Sequence, residues 1–278
     1  MKETRAEHLP ISKLHPFEGH PFKVTDNEEM DQLTWSILTQ GLLTPLVVRP
    51  LDNGEYEVIS GHRRLHACKK AGIEAVPALI YAIDRDAAAI ALVDSNLQRE
   101  HILPSEKAFA YKLKLEAMNH QGRTSGQVGQ KWTRDEIAEG ESGRQVQRYI
   151  RLTNLIPGIL QKVDEGRIAL TPAVELSYLT DAEQEDLLET MESEDCTPSL
   201  SQAIQMKALS QSGQLDMDTI FHIMTQPKAN QQEKISFKVS ELRDFFPRHY
   251  TAAQMMQEIK MALKERQQRL ARQRDHSR

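Results

Sequence analysis

The sequence predicts an α+β protein in three parts. These are a small mixed α/β unit over residues 1–102, an all-helical unit over 103–227 and a short strand-helix element over 228–278. Three observations predict this. In the first hundred residues, stripes at helical spacing alternate with short apolar runs bracketed by Pro, Gly and Asn. From Pro104 to Ile235 no strand pattern occurs, and residues 226–233 are polar and proline-bearing, as a linker should be. With 5 % aromatic and 27 % charged residues, the composition suits a helix-rich protein with small cores rather than one large sandwich.

The elements follow in order. After an apolar lead (Leu9, Ile11, Leu14), Met30, Leu33, Ile37 and Leu38 share one helical stripe. Asp26 is placed to cap that helix, Glu29 to complete a capping box and Gly41 to end it. Pro45 and Pro50 bracket a short strand, Leu46 to Arg49. Asp52-Asn53-Gly54 is a tight-turn signal, and Glu55 to Val58 alternates as a half-buried return strand. A helix from about His62 to Ala71, a strand from Val76 to Ile83 and a helix from Arg85 to about Gln98 complete the first part. Pro104 opens a helix to about His120, residues 121–129 read as a glycine-rich loop, and short helices run to about Met224. A strand from Ile235 to Val239 and a long helix from about Ala252 close the chain.

Several function classes are disfavoured at once. No stretch approaches the roughly 20 apolar residues that span a bilayer, and the first eight residues lack a signal-peptide core. The expected location is therefore the cytoplasm. Cys68 and Cys196 lie outside any CxxC pattern and read as two free thiols, and no ligand set surrounds His62 and His66. The net charge of −5 is unevenly distributed. Residues 101–167 carry eleven bases against eight acids, residues 168–227 eleven acids against Lys207 alone, and residues 260–278 seven bases against two acids. Any nucleic-acid contact would use a local basic face.

Two constellations carry chemistry. Ser60-Gly61-His62-Arg63-Arg64 sits where a strand hands over to a helix. Unpaired N–H groups and the helix dipole favour an anion there, and two arginines can grip phosphate oxygens. The same residues also fit a solvated helix start. Asp94-Ser95-Asn96-Leu97-Gln98-Arg99 ends a helix with polar groups, and also fits an ordinary polar terminus.

The second constellation is a helix-turn-helix. Thr133 and Glu136 form a capping box ahead of Ile137-Ala138, Gly140-Glu141-Ser142 makes the turn, and Ser142 caps a helix from Gly143 to about Asn154. Val146, Ile150 and Tyr149 face inward. Gln145, Gln147 and Arg148 are candidates for base contacts, and Lys131, Arg134, Arg144 and Arg151 for phosphate contacts. An amphipathic core helix with a solvated basic face would show the same pattern.

Together these segments resemble the ParB family of plasmid and chromosome partition proteins, over about Leu9 to Leu179. The run Ser36 to Pro50 looks like the family's first nucleotide motif. Gly61-His62-Arg63-Arg64 matches a Gly-Glu-Arg-Arg pattern, and Ser95-Asn96-Leu97-Gln98-Arg99 matches Glu-Asn-Leu-Gln-Arg, followed by Leu103-Pro104-x-Glu106. The resemblance implies CTP with Mg2+. Arg63 and Arg64 would hold the triphosphate, Asn96 would lie near the metal, and Gly41, Thr44 and Pro45 would contribute to the base pocket. Gly61, His62 and Arg99 complete the implied nucleotide site. No catalytic residue is assigned, because Ser95 stands where the family has glutamate and cannot orient a water as a general base. Nucleotide binding with weak or absent hydrolysis is the expectation.

The resemblance also implies a clamp that closes on double-stranded DNA at a specific site, a homodimer and a partition ATPase as partner. The chain would sit on the nucleoid or a plasmid. Met256, Ile259, Leu263 and Leu270 form a stripe on the last helix that fits either a dimer contact or an internal core. The basic tail would add non-specific DNA affinity. The rival readings are a ParB-like transcriptional regulator without a segregation role and, more remotely, a ParB-like nuclease. Sulfiredoxin-like chemistry is disfavoured because Gly61 is followed directly by His62 and Cys68 lies within the helix. Residues 1–9 provide no amphipathic membrane helix.

Overall fold

The computed structural model describes residues 5–99, 101–124, 141–226, 239–247 and 249–276. Residues 1–226 form one compact unit and 227–278 a second.

The first unit opens with β1 (Arg5–Pro10) and β2 (Leu14–Pro16), followed by α1 (Glu28–Gln40), β3 (Leu46–Pro50) and β4 (Tyr56–Ser60). Then come α2 (His62–Lys70), β5 (Ala75–Ile80), α3 (Arg85–Leu97) and α4 (Pro104–Thr124). The five strands order as β1-β5-β3-β4-β2. β1–β5 and β3–β4 pair antiparallel, whereas β3–β5 and β2–β4 pair parallel. The β3–β4 hairpin closes through Gly54 at φ 79°, which the Asn-Gly signal predicts.

One face of the sheet packs Leu46, Val48 and Val58 with Met30 and Ile37 of α1 and with Leu65 and Cys68 of α2. A second core joins Phe17, Phe22 and Ile59 to Ala88, Leu92 and Val93 of α3 and Ala110 of α4. The alanines let α3 and α4 approach closely, so α3 ends against the start of α2.

Several expectations need correction. Asn27, not Asp26, caps α1: its side chain accepts from Met30 N at 3.1 Å. Asp26 turns instead to His66 and Lys70, and Glu29 to Arg63. Leu38 is 60 % exposed rather than inward, because the buried stripe runs through Met30, Thr34 and Ile37. α4 continues through residues 121–124, expected as loop, while 125–129 lie outside the described residues.

The remainder of the unit is helical: α5 (Gly143–Arg151), α6 (Pro157–Asp164), α7 (Leu170–Leu176), α8 (Asp181–Ser193), α9 (Leu200–Gln211) and α10 (Met217–Thr225). Its core is built from Leu152, Ile159, Leu176, Leu187, Met206 and Ile220. Each fully buried side chain of this size contributes about 1.5–3 kcal/mol. The first helix expected for the helix-turn-helix, with Lys131, Thr133, Arg134, Glu136, Ile137 and Ala138, lies outside the described residues.

In the second unit, α11 (Val239–Leu242) precedes α12 (Ala252–His276). Val239 is helical, contrary to the strand expectation, and 235–238 lie outside the described residues. On α12, Met256 and Leu263 are more than half exposed or at half exposure, while Ile259 is half-buried. Among the described residues no helix is long and apolar enough to cross a membrane.

Candidate anion cleft and recognition helix

A cleft of about 290 Å³ opens where β4 passes into α2. Gly61 makes this junction with φ 104° and ψ 24°, and no side chain caps the helix behind it. The first N–H groups of α2 are therefore left for a ligand, and the dipole favours an anion. A Cβ at Gly61 would stand 2.6 Å from Leu46 Cδ2, so only glycine fits.

Six of the predicted residues meet here: Gly61, His62, Arg63, Arg64, Asn96 and Arg99. Their long-range partners define what each can do. Arg64 Nη1 donates to the Thr44 and Pro45 carbonyls at 2.6 and 2.8 Å. It thus fastens the loop after α1 while its remaining donors stay at the cleft, and burial pulls its pKa down. Arg63 Nη2 reaches Glu29 Oε2 at 3.0 Å, an exposed pair worth little and easily exchanged for phosphate. The Arg99 guanidinium lies over the Phe22 ring at 5.9 Å. Gly41, Thr44 and Pro45 do not line this cleft. Gly41 ends α1 at φ 76°, and the other two act through Arg64.

His62 is held as a neutral ring. Its Nε2 accepts from Phe17 N at 3.4 Å, and it bonds the Val58 backbone. Burial, then the neighbouring His20, pushes its pKa down to about 3. His20 stacks on it with ring centroids 3.7 Å apart, and burial lowers the His20 pKa as well. Ser95 Oγ and Asn96 Nδ2 both donate to the Leu92 carbonyl, at 2.9 and 2.8 Å. Asp94 points away, as its helix position predicts, and accepts from Lys114 Nζ at 2.5 Å.

Sequence reading missed His20, Phe22 and Lys23, which line the cleft from an irregular segment. No periodicity marks such a segment. The nearest signal is the run His20-Pro21-Phe22-Lys23. Lys23 is anchored by its backbone N–H to Glu106 Oε1 at 2.8 Å and by Nζ to Asp164 Oδ2 at 3.3 Å.

The second constellation lies on α5. Ser142 caps it, accepting from Gln145 N, and Val146 is fully buried against Tyr111 and Met118 of α4. Tyr149 and Ile150 are half-buried, as expected. Arg144 is exposed, and Gln145, Gln147 and Arg148 are half-exposed. Arg148 is pre-positioned by Gln145 Oε1 at 3.1 Å and Thr171 Oγ1 at 2.6 Å. Arg151 does not face out as expected. Its Nη2 donates to the Ser177 carbonyl at 3.0 Å and its guanidinium lies 3.8 Å from the Tyr178 ring centre.

These two arginines should therefore behave differently. Arg144→Ala is expected to flatten the salt dependence of duplex binding by about one unit of slope without changing stability. Arg151→Ala is expected to lower stability by about 1–2 kcal/mol with the slope unchanged. Titrations over a range of salt, beside denaturant melts, check this. Equal slopes for both variants would sink it.

Comparison with known proteins places the chain in a family. Residues 1–97 match the family description "ParB N-terminal domain". The probable chromosome-partitioning protein ParB of Vibrio cholerae is 31 % identical over 238 residues, covering 84 % of this chain and 77 % of that protein. The chain belongs to the ParB family. Among its other ParB-like relatives, the nucleoid occlusion protein of a Geobacillus species is 39 % identical over 112 residues, and the match spans only 40 % of each chain. A crystal structure of C-terminally truncated ParB from Caulobacter crescentus, complexed with CTP-γ-S, is 25 % identical. It covers 68 % of this chain and 99 % of that one with a TM-score of 0.32.

Proposed function

We propose that this ParB-family chain is a CTP-gated DNA-binding protein of plasmid or chromosome segregation. The observation that carries the reading is the cleft itself. It combines an uncapped helix N-terminus, a glycine that lets the backbone approach, and four cationic side chains from three segments of the chain. That donor set suits a polyphosphate, with Arg63, Arg64 and Arg99 on the phosphate oxygens. The neutral His20–His62 pair, its rings tilted by 36°, lies beside them.

In the same unit, α5 would read one specific duplex site through Gln145, Gln147 and Arg148, with Arg144 on the phosphates. Lys131 and Arg134 are proposed as further phosphate contacts. The exposed Met256 and Leu263 on α12 fit a homodimer contact, and a partition ATPase is the proposed protein partner.

Two features argue for nucleotide binding without efficient turnover. Ser95 Oγ and Asn96 Nδ2 are spent on the Leu92 carbonyl, and Asp94 is held by Lys114, so among the described residues lining the cleft no carboxylate stands ready to orient a water. Of the Mg2+ implied by the family, the protein could hold little: Asn96 contributes one amide oxygen, and among the described residues no carboxylate lines the cleft.

Calorimetric titration with CTP, ATP, GTP and UTP tests the reading. CTP is expected to bind selectively, and Arg63→Ala to weaken it about a hundredfold, the scale of a charge-assisted phosphate pair. Absence of heat with every nucleotide, in the presence and absence of duplex DNA, would reduce the cleft to a scaffold.

A further inference from the structure

We propose that the cleft takes its nucleoside triphosphate as the free polyanion, with no divalent cation required. This rests on the nucleotide reading above and specifies the form of the ligand. A triphosphate usually carries magnesium into a protein because its charge needs a partner, and magnesium asks for near-octahedral oxygen ligands, commonly including one or two carboxylates. The cleft supplies the opposite. Lys23, Arg63, Arg64 and Arg99 bring four cations, and no Asp or Glu is among the described residues lining it.

Of the acids close by, Glu29 is held loosely, through its exposed pair with Arg63, and the others are firmly committed. Asp94 accepts from Lys114 at 2.5 Å. Glu57 is held by Arg49 Nε at 2.6 Å and the Glu18 N–H at 3.0 Å. Glu106 accepts from the Lys23 and Leu103 N–H groups at 2.8 and 3.1 Å. Moving any of them to a metal would abandon a made bond.

The neutral oxygens are few. Ser95 Oγ donates to Leu92 O and lies 3.3 Å from Asn96 Nδ2, which leaves chiefly Asn96 Oδ1 and the Ser60 hydroxyl. The pair His62 and His20 adds no ligand either. His62 uses its Nε2 on Phe17 N and is bonded to the Val58 backbone, and His20 is packed against it with the rings tilted by 36°. The cations, by contrast, can turn to phosphate at small cost. Glu29, which holds Arg63, is 70 % exposed, and Asp164, which Lys23 would leave, keeps its bonds from Ser105 N and Oγ. The α2 N-terminus adds its partial positive charge. Charge balance is therefore met by the protein, and a cation on the phosphates would compete with the arginines for the same oxygens.

The test is CTP titration of the full chain in magnesium and in excess EDTA, with Ser95→Glu beside it. Ser95 is exposed, so the substitution leaves the core intact. Wild-type affinities within about threefold of each other are expected, because no protein ligand to the metal is lost. Ser95→Glu should bind about tenfold more weakly in EDTA and recover in magnesium, since its carboxylate repels the bare triphosphate and a cation bridges the two. Wild-type binding that is more than about tenfold weaker in EDTA would overturn the proposal and leave the nucleotide reading intact. Equal binding of Ser95→Glu with and without magnesium would also overturn it. No binding under either condition removes the nucleotide reading, and this proposal with it.

Discussion

Replacing Gly61 with alanine is expected to abolish nucleotide binding and to destabilise the first unit by about 2–5 kcal/mol. Two costs combine. A left-handed backbone at φ 104° costs a residue with a Cβ about 1–2 kcal/mol. The new methyl would also stand 2.6 Å from Leu46 Cδ2 and 3.1 Å from Arg64 Nη2. Leu46 is fully buried in the sheet core and cannot swing aside freely, so overpacking adds about 1–3 kcal/mol. The backbone must then shift at the point where the first N–H groups of α2 are to meet phosphate. That same shift would carry Arg64 off the Thr44 and Pro45 carbonyls. Chemical denaturation and CTP titration of the variant measure both effects. Wild-type stability together with wild-type affinity would refute the role given to this junction.

Val146→Asp should have an equally large effect on the other constellation. Val146 has no exposed surface and packs with Tyr111 and Met118. An unpaired carboxylate there costs several kcal/mol, which the protein relieves by loosening α5 from α4. Binding to a mixed-sequence duplex at low salt is expected to fall by about a hundredfold or more, because the helix that presents Gln147 and Arg148 loses its seat. CTP affinity should stay within about threefold, since α2, α3 and the segment bearing Lys23 build the cleft without α5. Unaltered duplex binding by the folded variant would show that α5 is not the recognition element.

Much of the architecture was legible from local pattern. The Asn-Gly hairpin, the strand from Leu46, the α2 boundaries and the Ser142 cap all rest on interactions within a few residues, and the structure places them as read. The errors have a common character. Asp26 and Asn27 are both good caps, and which one serves depends on whether His66 and Lys70, some forty residues away, claim the aspartate. Leu38 satisfies helical spacing, yet the sheet covers only the face through Met30, Thr34 and Ile37. Arg151 lies on the polar side of its helix by spacing alone, and the nearby Tyr178 and Ser177 draw it in.

The sequence by itself determined most element types, their order and the three motifs that resemble the ParB family, because backbone preferences, turns and caps act over a few residues. Only the tertiary structure decided the composition of the cleft. It brought His20 and Lys23 to the end of α3, stacked His20 on His62, gave Arg64 to the carbonyls of residues 44 and 45, and withdrew Asp94 to Lys114. Each of those contacts joins groups about twenty residues or more apart in sequence. The charge balance of the described lining, four cations without a carboxylate, depends on which side chains the packed core leaves free to turn toward one another, and no periodicity in the chain records that.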